Sequence, residues 1–191
     1  MLSSFLGFLS EASGYYIGLL EKVHAAFDLK FDGNEAFVLR GATDPDMKGK
    51  YAGLTSCHKS LIYLGDLARY KEFYSENPRK NWSVPFEYYH QAIKILPFSG
   101  NPYNQLAVLA TYAEIEYRCI FNYYMGLLIV APFETIKENL SLQFQKNKTK
   151  YLEFVNDPAT KDRTSNDDDK ATKHFQMDLI RVHGILFTRT G

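Results

Sequence analysis

Leu2, Phe5, Leu6, Leu9, Ala12, Tyr16, Leu19, Leu20, Val23 and Phe27 recur at steps of three and four, the spacing that gathers apolar side chains on one face of a helix. Residues 32 to 53 then carry Gly33, Gly41, Pro45, Gly49 and Gly53. That density of breakers predicts a loop, and one so long reads as a variable insertion. A second helix is predicted from Thr55 to Glu76 with Cys57, Leu61, Leu64 and Ala68 inward. Asn77-Pro78 ends it, because a proline pushes the residue before it out of helical geometry. Ser83 is the expected cap of a third helix, with Pro85 in its first turn and Tyr89, Ala92 and Leu96 inside, positions where a hydroxyl acceptor and a missing N–H are both tolerated.

The pattern repeats. Pro97 and Gly100 close the third helix, and Asn101-Pro102 opens a fourth with Tyr103, Leu106, Ala107 and Ala110 on one side. A fifth runs from Ile115 to Val130 with Ile120, Phe121, Tyr124 and Leu128 inward, and Pro132 opens a sixth with Phe133, Ile136, Leu140 and Phe144. From Asn156 to Lys173 the chain turns to Asp, Thr, Lys, Asn and Ser, a solvated linker; Phe175, Leu179, Val182 and Leu186 then mark a last amphipathic helix. No segment alternates with period two. The fold class is all-α, divided as 1–150 helical domain, 151–173 charged linker and 174–191 the beginning of a further helical domain.

Composition narrows the functions. Of 191 residues, 46% are hydrophobic and 14 Tyr, 14 Phe and one Trp supply aromatic bulk, too much for a disordered chain. Twenty-two basic and 22 acidic residues cancel, so no net field draws the chain to nucleic acid or anionic lipid. Cys57 and Cys119 give neither a disulfide framework nor metal-ligand spacing and read as buried thiols. The apolar start at Leu2 has no preceding positive charge and Glu11 soon interrupts it, unlike a signal peptide; no window is long enough to span a membrane. The expectation is a soluble intracellular protein.

Pro97 and Pro132 each follow a helix and lie 35 residues apart, close to the ~34-residue tetratricopeptide period. Tyr103, Leu106, Ala107, Ala110, Tyr123, Gly126 and Pro132 fall near the aromatic, Leu, small and Pro slots of that repeat, whose small residues let paired helices approach. Leu64, Gly65, Ala68, Tyr88, Ala92 and Pro97 give a second, interrupted match. An antiparallel array of helix pairs follows.

A more specific pattern lies within it. Cys57-His58 followed by Leu64-Gly65-Asp66-Leu67-Ala68-Arg69-Tyr70, then Tyr88-Tyr89-His90-Gln91-Ala92, then Pro97 to Leu109 with Asn101-Pro102-Tyr103-Asn104-Gln105-Leu106-Ala107, resembles the Est/SMG family of mRNA-surveillance and telomerase-associated factors. Phe121-Asn122-Tyr123-Tyr124, Ala131-Pro132-Phe133 and Val182-His183-Gly184-Ile185-Leu186 extend the resemblance. It is closest over 54–148 and fair over 5–23 and 176–190. What it implies is a 14-3-3-like tetratricopeptide region that binds phosphorylated tails of the RNA helicase of nonsense-mediated decay, recruits decay factors, and works in cytoplasm and nucleus, with some members at telomeres. Family members carry further helices before the one at Leu2 and more chain after Thr190, so the resemblance implies a truncated product.

On the second predicted helix Lys59, Ile62, Asp66, Arg69 and Phe73 follow steps of three and four and share a face distinct from the Cys57 stripe. That face is expected on a concave surface, where an arginine suits bidentate phosphate recognition. From the residues alone, Asp66 and Arg69 also read as an ordinary i,i+3 surface pair. The resemblance assigns Arg69 to a phosphoserine pocket, with Tyr70 as a phosphate partner and Asn104 on the peptide backbone; helical phase adds Lys59.

Other chemistry is thin. The histidines at 24, 58, 90, 174 and 183 form no metal motif, and Cys57 and His58, being adjacent on a helix, point about 100° apart, a buried thiol beside a half-exposed imidazole. Asp167-Asp168-Asp169 lacks the glycine and terminal glutamate of a calcium loop. No cofactor and no enzyme is expected. Beside the phosphopeptide adaptor stand two alternatives: a generic tetratricopeptide scaffold for an unphosphorylated tail, and a telomerase-RNA or single-strand binder, which zero net charge disfavours.

Overall fold

The computed structural model describes residues 2–31, 33–156 and 168–189. Among them are eight helices: α1 Leu2–Phe27, α2 Gly33–Arg40, α3 Pro45–Phe73, α4 Ser83–Ile95, α5 Asn101–Tyr112, α6 Glu116–Leu128, α7 Ile136–Asn156 and α8 Asp168–Thr188. The all-α reading holds, and the only extended pairing described is one parallel bridge between Ser99 and Ala131. The helices pack as pairs, α3 with α4, α5 with α6 and α7 with α8; α1 lies along α3 and the short α2 rests on α3 and α4.

The predicted loop over 32–53 is instead helical over most of its length. Asp44 caps α3 by accepting from the N–H groups of Asp46 and Met47 at 3.0 and 3.2 Å, with Pro45 in the first turn, the sequence signature of a helix start. One of the glycines that argued for a loop, Gly53, serves packing. A Cβ on Gly53 would lie 2.9 Å from Phe27 Cδ2, so only glycine lets the end of α1 close on α3. The resulting α3 is 29 residues long, or ~44 Å at 1.5 Å per residue. It ends at Phe73, ahead of Asn77-Pro78.

Three local expectations change. Ser83 does not cap α4: Trp82 holds the cap position, and Asn81 Oδ1 accepts from the Ser83 N–H at 3.0 Å. Pro132 does not start α7, which begins at Ile136; its segment instead pairs with the end of the α4–α5 connection, Gly100 N–H to Ala131 O at 2.8 Å and Ala131 N–H to Phe98 O at 3.0 Å. The inner face of α6 is Cys119, Ile120, Tyr123 and Gly126, while Phe121 and Leu128 face outward. Gly126 carries that shift, since a Cβ there would meet Ile136 and stand 3.0 Å from Tyr103 Cβ.

One core cluster joins α2, α3 and α4 through Ala36, Leu39, Leu54, Cys57, Tyr89 and Ile95. A second joins α5 to α8 through Ala107, Cys119, Tyr123, Ile136, Phe144 and Ile180. Helix α8 starts at Asp168 and packs on α7 with His174, Ile180 and Gly184, which leaves Phe175, Leu179, Val182 and Leu186, the stripe that announced it, on the open side. Helix α7 runs to Asn156; the rest of the charged segment, 157–167, lies outside the described residues, as does Asp167 of the aspartate run. Among the described residues no helix is long and apolar enough to cross a membrane.

Candidate functional site

Arg69 sits near the end of α3, and its side chain is fixed from several directions. Nη2 donates to Asp66 Oδ1 at 3.0 Å, an ion pair one turn earlier on the same helix. Nε donates to Tyr89 Oη at 3.3 Å, and that hydroxyl donates onward to the same Asp66 Oδ1 at 2.8 Å. Tyr89 is wholly buried, and its ring occupies the space that Gly65 leaves open. Gly65, Asp66 and Arg69 on α3 thus form one hydrogen-bonded unit with Tyr89 of α4.

Two aromatic rings lie against the guanidinium. Its carbon lies 4.7 Å from the ring centroid of Tyr70 and 5.9 Å from that of Tyr112, within the range of cation–π attraction. Tyr112 ends α5 and stacks on Trp82 at 5.5 Å, while Phe73 meets its edge at 5.4 Å. Nη1 has no hydrogen-bond partner among the described residues, so the outer edge of the fork is uncommitted.

Burial works against the charge of Arg69, but its bonds to Tyr89 and Asp66 outweigh that and hold its pKa above the ordinary arginine value. Burial, then the nearby Asp66 carboxylate, likewise push the Tyr89 hydroxyl up. Both groups therefore keep their protons throughout the physiological range.

The expectation that Arg69 lies outside the core is corrected: it is 7% exposed, and Ile62 on the same predicted face is buried at 4%. The reason is tertiary. Helix α3 is covered by α1, α2 and α4 at once, so more than one of its faces is interior. Tyr70 is 42% exposed and lies against the guanidinium. Lys59 is exposed but precedes Arg69 by ten residues, ~15 Å along the helix, so the two do not meet. Asn104 is buried at the opening of α5, where its Oδ1 accepts from Asn139 Nδ2 of α7 at 3.0 Å. Between it and Tyr112, a cleft of 260 Å³ runs past Val108, Asn139, Leu142 and Lys146.

His58 is not half-exposed. It is buried, with Nδ1 2.9 Å from Ala92 O and Nε2 3.1 Å from Ser99 Oγ, an arrangement met when Nδ1 carries the proton and Ser99 donates. It ties α3 to the far end of α4. Both cysteines are buried, as read. Three participants had not been singled out for the site: Tyr89, which read as core, Tyr112 and Trp82. Tyr89 follows a Gly-Asp-x-x-Arg run that needs a covering group, which is a usable signal; nothing in the sequence marks Tyr112 as its neighbour.

Residues 1–75 match the family model described as telomerase activating protein Est1, and residues 85–191 match the model described as Est1 DNA/RNA binding domain. The chain is 34% identical over 220 aligned residues to nonsense-mediated mRNA decay factor SMG7 of Arabidopsis thaliana, covering 98% of this chain and 21% of that protein. It is 32% identical to the SMG7-like factor of the same plant, over 97% and 19% of the two chains. To telomerase-binding protein EST1A of Danio rerio it is 33% identical, over 74% and 9%. The chain thus spans about a fifth or less of these curated relatives. The two matched regions meet in the loop between α3 and α4, yet Asp66 and Arg69 from one side and Tyr89 from the other share hydrogen bonds. That seam is no structural boundary.

Proposed function

The chain belongs to the Est1 family, and from that premise we propose that it acts as a phosphopeptide-binding adaptor of nonsense-mediated mRNA decay, taking a phosphorylated tail of the surveillance helicase and presenting it to decay factors. The observation that carries the reading is the Arg69 unit. A guanidinium held by Asp66 and Tyr89 and stacked on Tyr70 has little rotamer freedom left to lose, and Nη1 remains for an incoming oxyanion. Charge-assisted bonds to a phosphate are among the stronger ones available to a side chain. Asp66 offsets part of the Arg69 charge, so the phosphate gain belongs at the lower end of the range. In this reading Tyr70 lends its hydroxyl to the phosphate, Asn104 acts on the peptide backbone through its partner Asn139, which lines the α5–α7 cleft, and Lys59 meets an acidic group farther along the peptide. The relatives' names bear on the setting, cytoplasmic and nuclear, and no catalytic step is part of the proposal.

The test is the affinity of a labelled phosphoserine peptide from the helicase tail and of its unphosphorylated twin, read by fluorescence anisotropy. A charged hydrogen bond of ~1.5 kcal/mol predicts about tenfold tighter binding of the phosphorylated form. Equal affinities sink the phosphate reading and leave the generic tetratricopeptide scaffold.

A second reading has its own support, since 85–191 matches a region described as DNA/RNA binding. That span holds twelve Lys/Arg and twelve Asp/Glu, and its densest basic run is Lys146, Lys148 and Lys150 of α7. Backbone-directed binding to single-stranded RNA would then lose affinity with a slope of roughly −0.7 per neutralised phosphate in log–log salt plots. A slope near zero removes this alternative.

A further inference from the structure

On the other side of the Trp82–Tyr112 stack from Arg69, the α4–α5–α6 surface opens into a cleft of 280 Å³. Its lining is mostly apolar: Trp82 and Phe86, Leu106 and Leu109, and Ala110 and Ala113, which contribute only methyl groups and so leave depth. Trp82 and Ala113 are half-buried and Phe86 is 38% exposed, so the cleft reaches the surface.

The polar part of the rim is cationic. Arg118 and Asn122, one turn apart on α6, line the cleft, and no carboxylate is among the lining residues. Arg118 is steadied by its neighbour, Nε donating to Tyr117 Oη at 3.2 Å with the guanidinium 6.0 Å from that ring. It has no carboxylate partner among the described residues. Glu114 and Glu116 turn instead toward a separate 450 Å³ cavity facing α7, where Glu116 accepts from Gln143 Nε2 at 3.3 Å. Ile115 holds the cap position of α6 without a side-chain cap and also lines the cleft, so the positive end of the helix dipole faces it beside Arg118, offset in part by Glu116 in the first turn.

We infer that this cleft is a second docking site, for a short acidic segment of a partner protein that buries one bulky apolar side chain against Ala110 and Ala113 and sets a carboxylate on Arg118. The occupant follows from two complementarities. The volume and lining suit one aromatic side chain, the kind of anchor that dominates peptide recognition. The uncompensated arginine excludes a basic flank and favours an acidic one. The site is separate from the Arg69 unit and stands whether or not a phosphate docks there. The Trp82–Tyr112 stack nevertheless puts the two on one continuous path.

Trp82 is the single tryptophan of the chain, so its emission reports on the cleft directly. The probes are three ten-residue peptides: one with a central Phe flanked by four Glu, the same with Phe replaced by Ala, and the same with Glu replaced by Lys. The first is expected to shift Trp82 emission in a saturable way, with the other two at least tenfold weaker. Ala113→Leu, which fills the cleft, and Arg118→Glu, which reverses its rim, should each weaken the first peptide by tenfold or more, and Arg118→Glu should favour the Lys peptide instead. Circular dichroism of each variant checks that it is folded, and Gly14→Ala on distant α1 serves as a control that leaves binding unchanged. No saturable shift with the acidic Phe peptide at millimolar concentration overturns the inference. So does binding that survives both cleft substitutions, or equal binding of the Phe and Ala peptides. Ala113→Leu should leave the affinity of a phosphoserine peptide without an aromatic residue unchanged in fluorescence anisotropy, which separates failure here from failure at Arg69.

Discussion

The ring of Tyr89 lies against Gly65 so closely that a Cβ built on the glycine would stand 2.7 Å from Cδ1. That contact aims the tyrosine hydroxyl at Asp66 and Arg69, and the whole site depends on the absence of a side chain at position 65.

Gly65→Ala sets two effects against each other. Alanine gains up to ~1 kcal/mol in helix propensity, while the displaced ring costs about 1–3 kcal/mol in overpacking and loses bonds to charged groups worth ~1.5–3 kcal/mol. Packing should win, with a net loss of at least ~1 kcal/mol in urea unfolding. The matched control is Gly14→Ala, where a Cβ meets nothing within 4 Å; there propensity acts alone and stability should rise by up to ~1 kcal/mol. Equal effects at the two positions would show that the Tyr89 contact is not limiting.

His58 should make stability depend on pH. Burial lowers its pKa, against a smaller opposing pull from the Ala92 carbonyl, and burial lowers that of His90 as well. Between the lowered folded value and the unfolded value near 6.5, the unfolded chain binds more protons, so stability rises with pH through that window. It is fully present above 6.5 and is lost as pH falls below it. Urea midpoints measured from pH 8 to 5.5 should decline on the acid side, and His58→Asn should flatten part of that decline. A midpoint unchanged down to pH 5.5 would contradict the buried neutral imidazole.

Both thiols should be slow to react. Cys57 is fully buried and its pKa is pushed up to about 11 by burial; Cys119 is buried and shifted the same way. Since the thiolate is the reacting form, labelling with a disulfide reagent at pH 7.5 should run at least a hundredfold slower in the folded chain than in urea. Rapid modification of either cysteine would mean that α1 or α7 opens readily.

Much of this was readable from residue order, and the failures have a common cause. Helix α1, α5 and the inward faces of α4 and α7 follow from period and proline placement because each has one dominant apolar stripe. The region 32–53 reads as a loop because its glycines look like breakers, whereas Gly53 is there to admit Phe27. On α6 and α8 apolar residues lie all round, so period could not choose between Tyr123 and Phe121, or between Ile180 and Leu179; the neighbouring helix chose. Arg69 is located in sequence by the run Leu64 to Tyr70, but its burial depends on Tyr89 of α4 and Tyr112 of α5 closing over the end of α3. Tyr112 and Trp82 come from distant segments that no local pattern links to it.

Arg69 has two roles that substitutions can separate. As an anchor it satisfies Asp66 and Tyr89; as the proposed phosphate ligand it offers Nη1. Arg69→Lys keeps the charge and can still reach Asp66, but it loses the fork and the guanidinium contact with the Tyr70 ring. It should weaken a phosphoserine peptide by roughly 3- to 10-fold while costing ~1 kcal/mol or less in stability. Arg69→Glu places a second carboxylate beside Asp66 in a 7%-exposed position, so it should cost ~3 kcal/mol or more and remove phosphate preference together. Tyr70→Phe is the cleaner probe: the ring that supports the guanidinium stays, only an exposed hydroxyl goes, and stability should change by less than ~0.5 kcal/mol. A phosphate bonded to that hydroxyl would then bind a few-fold more weakly. If Arg69→Lys and Tyr70→Phe both leave the ratio of phosphorylated to unphosphorylated affinity unchanged, Arg69 is an anchor between α3 and α4 and the phosphate reading of this site is wrong.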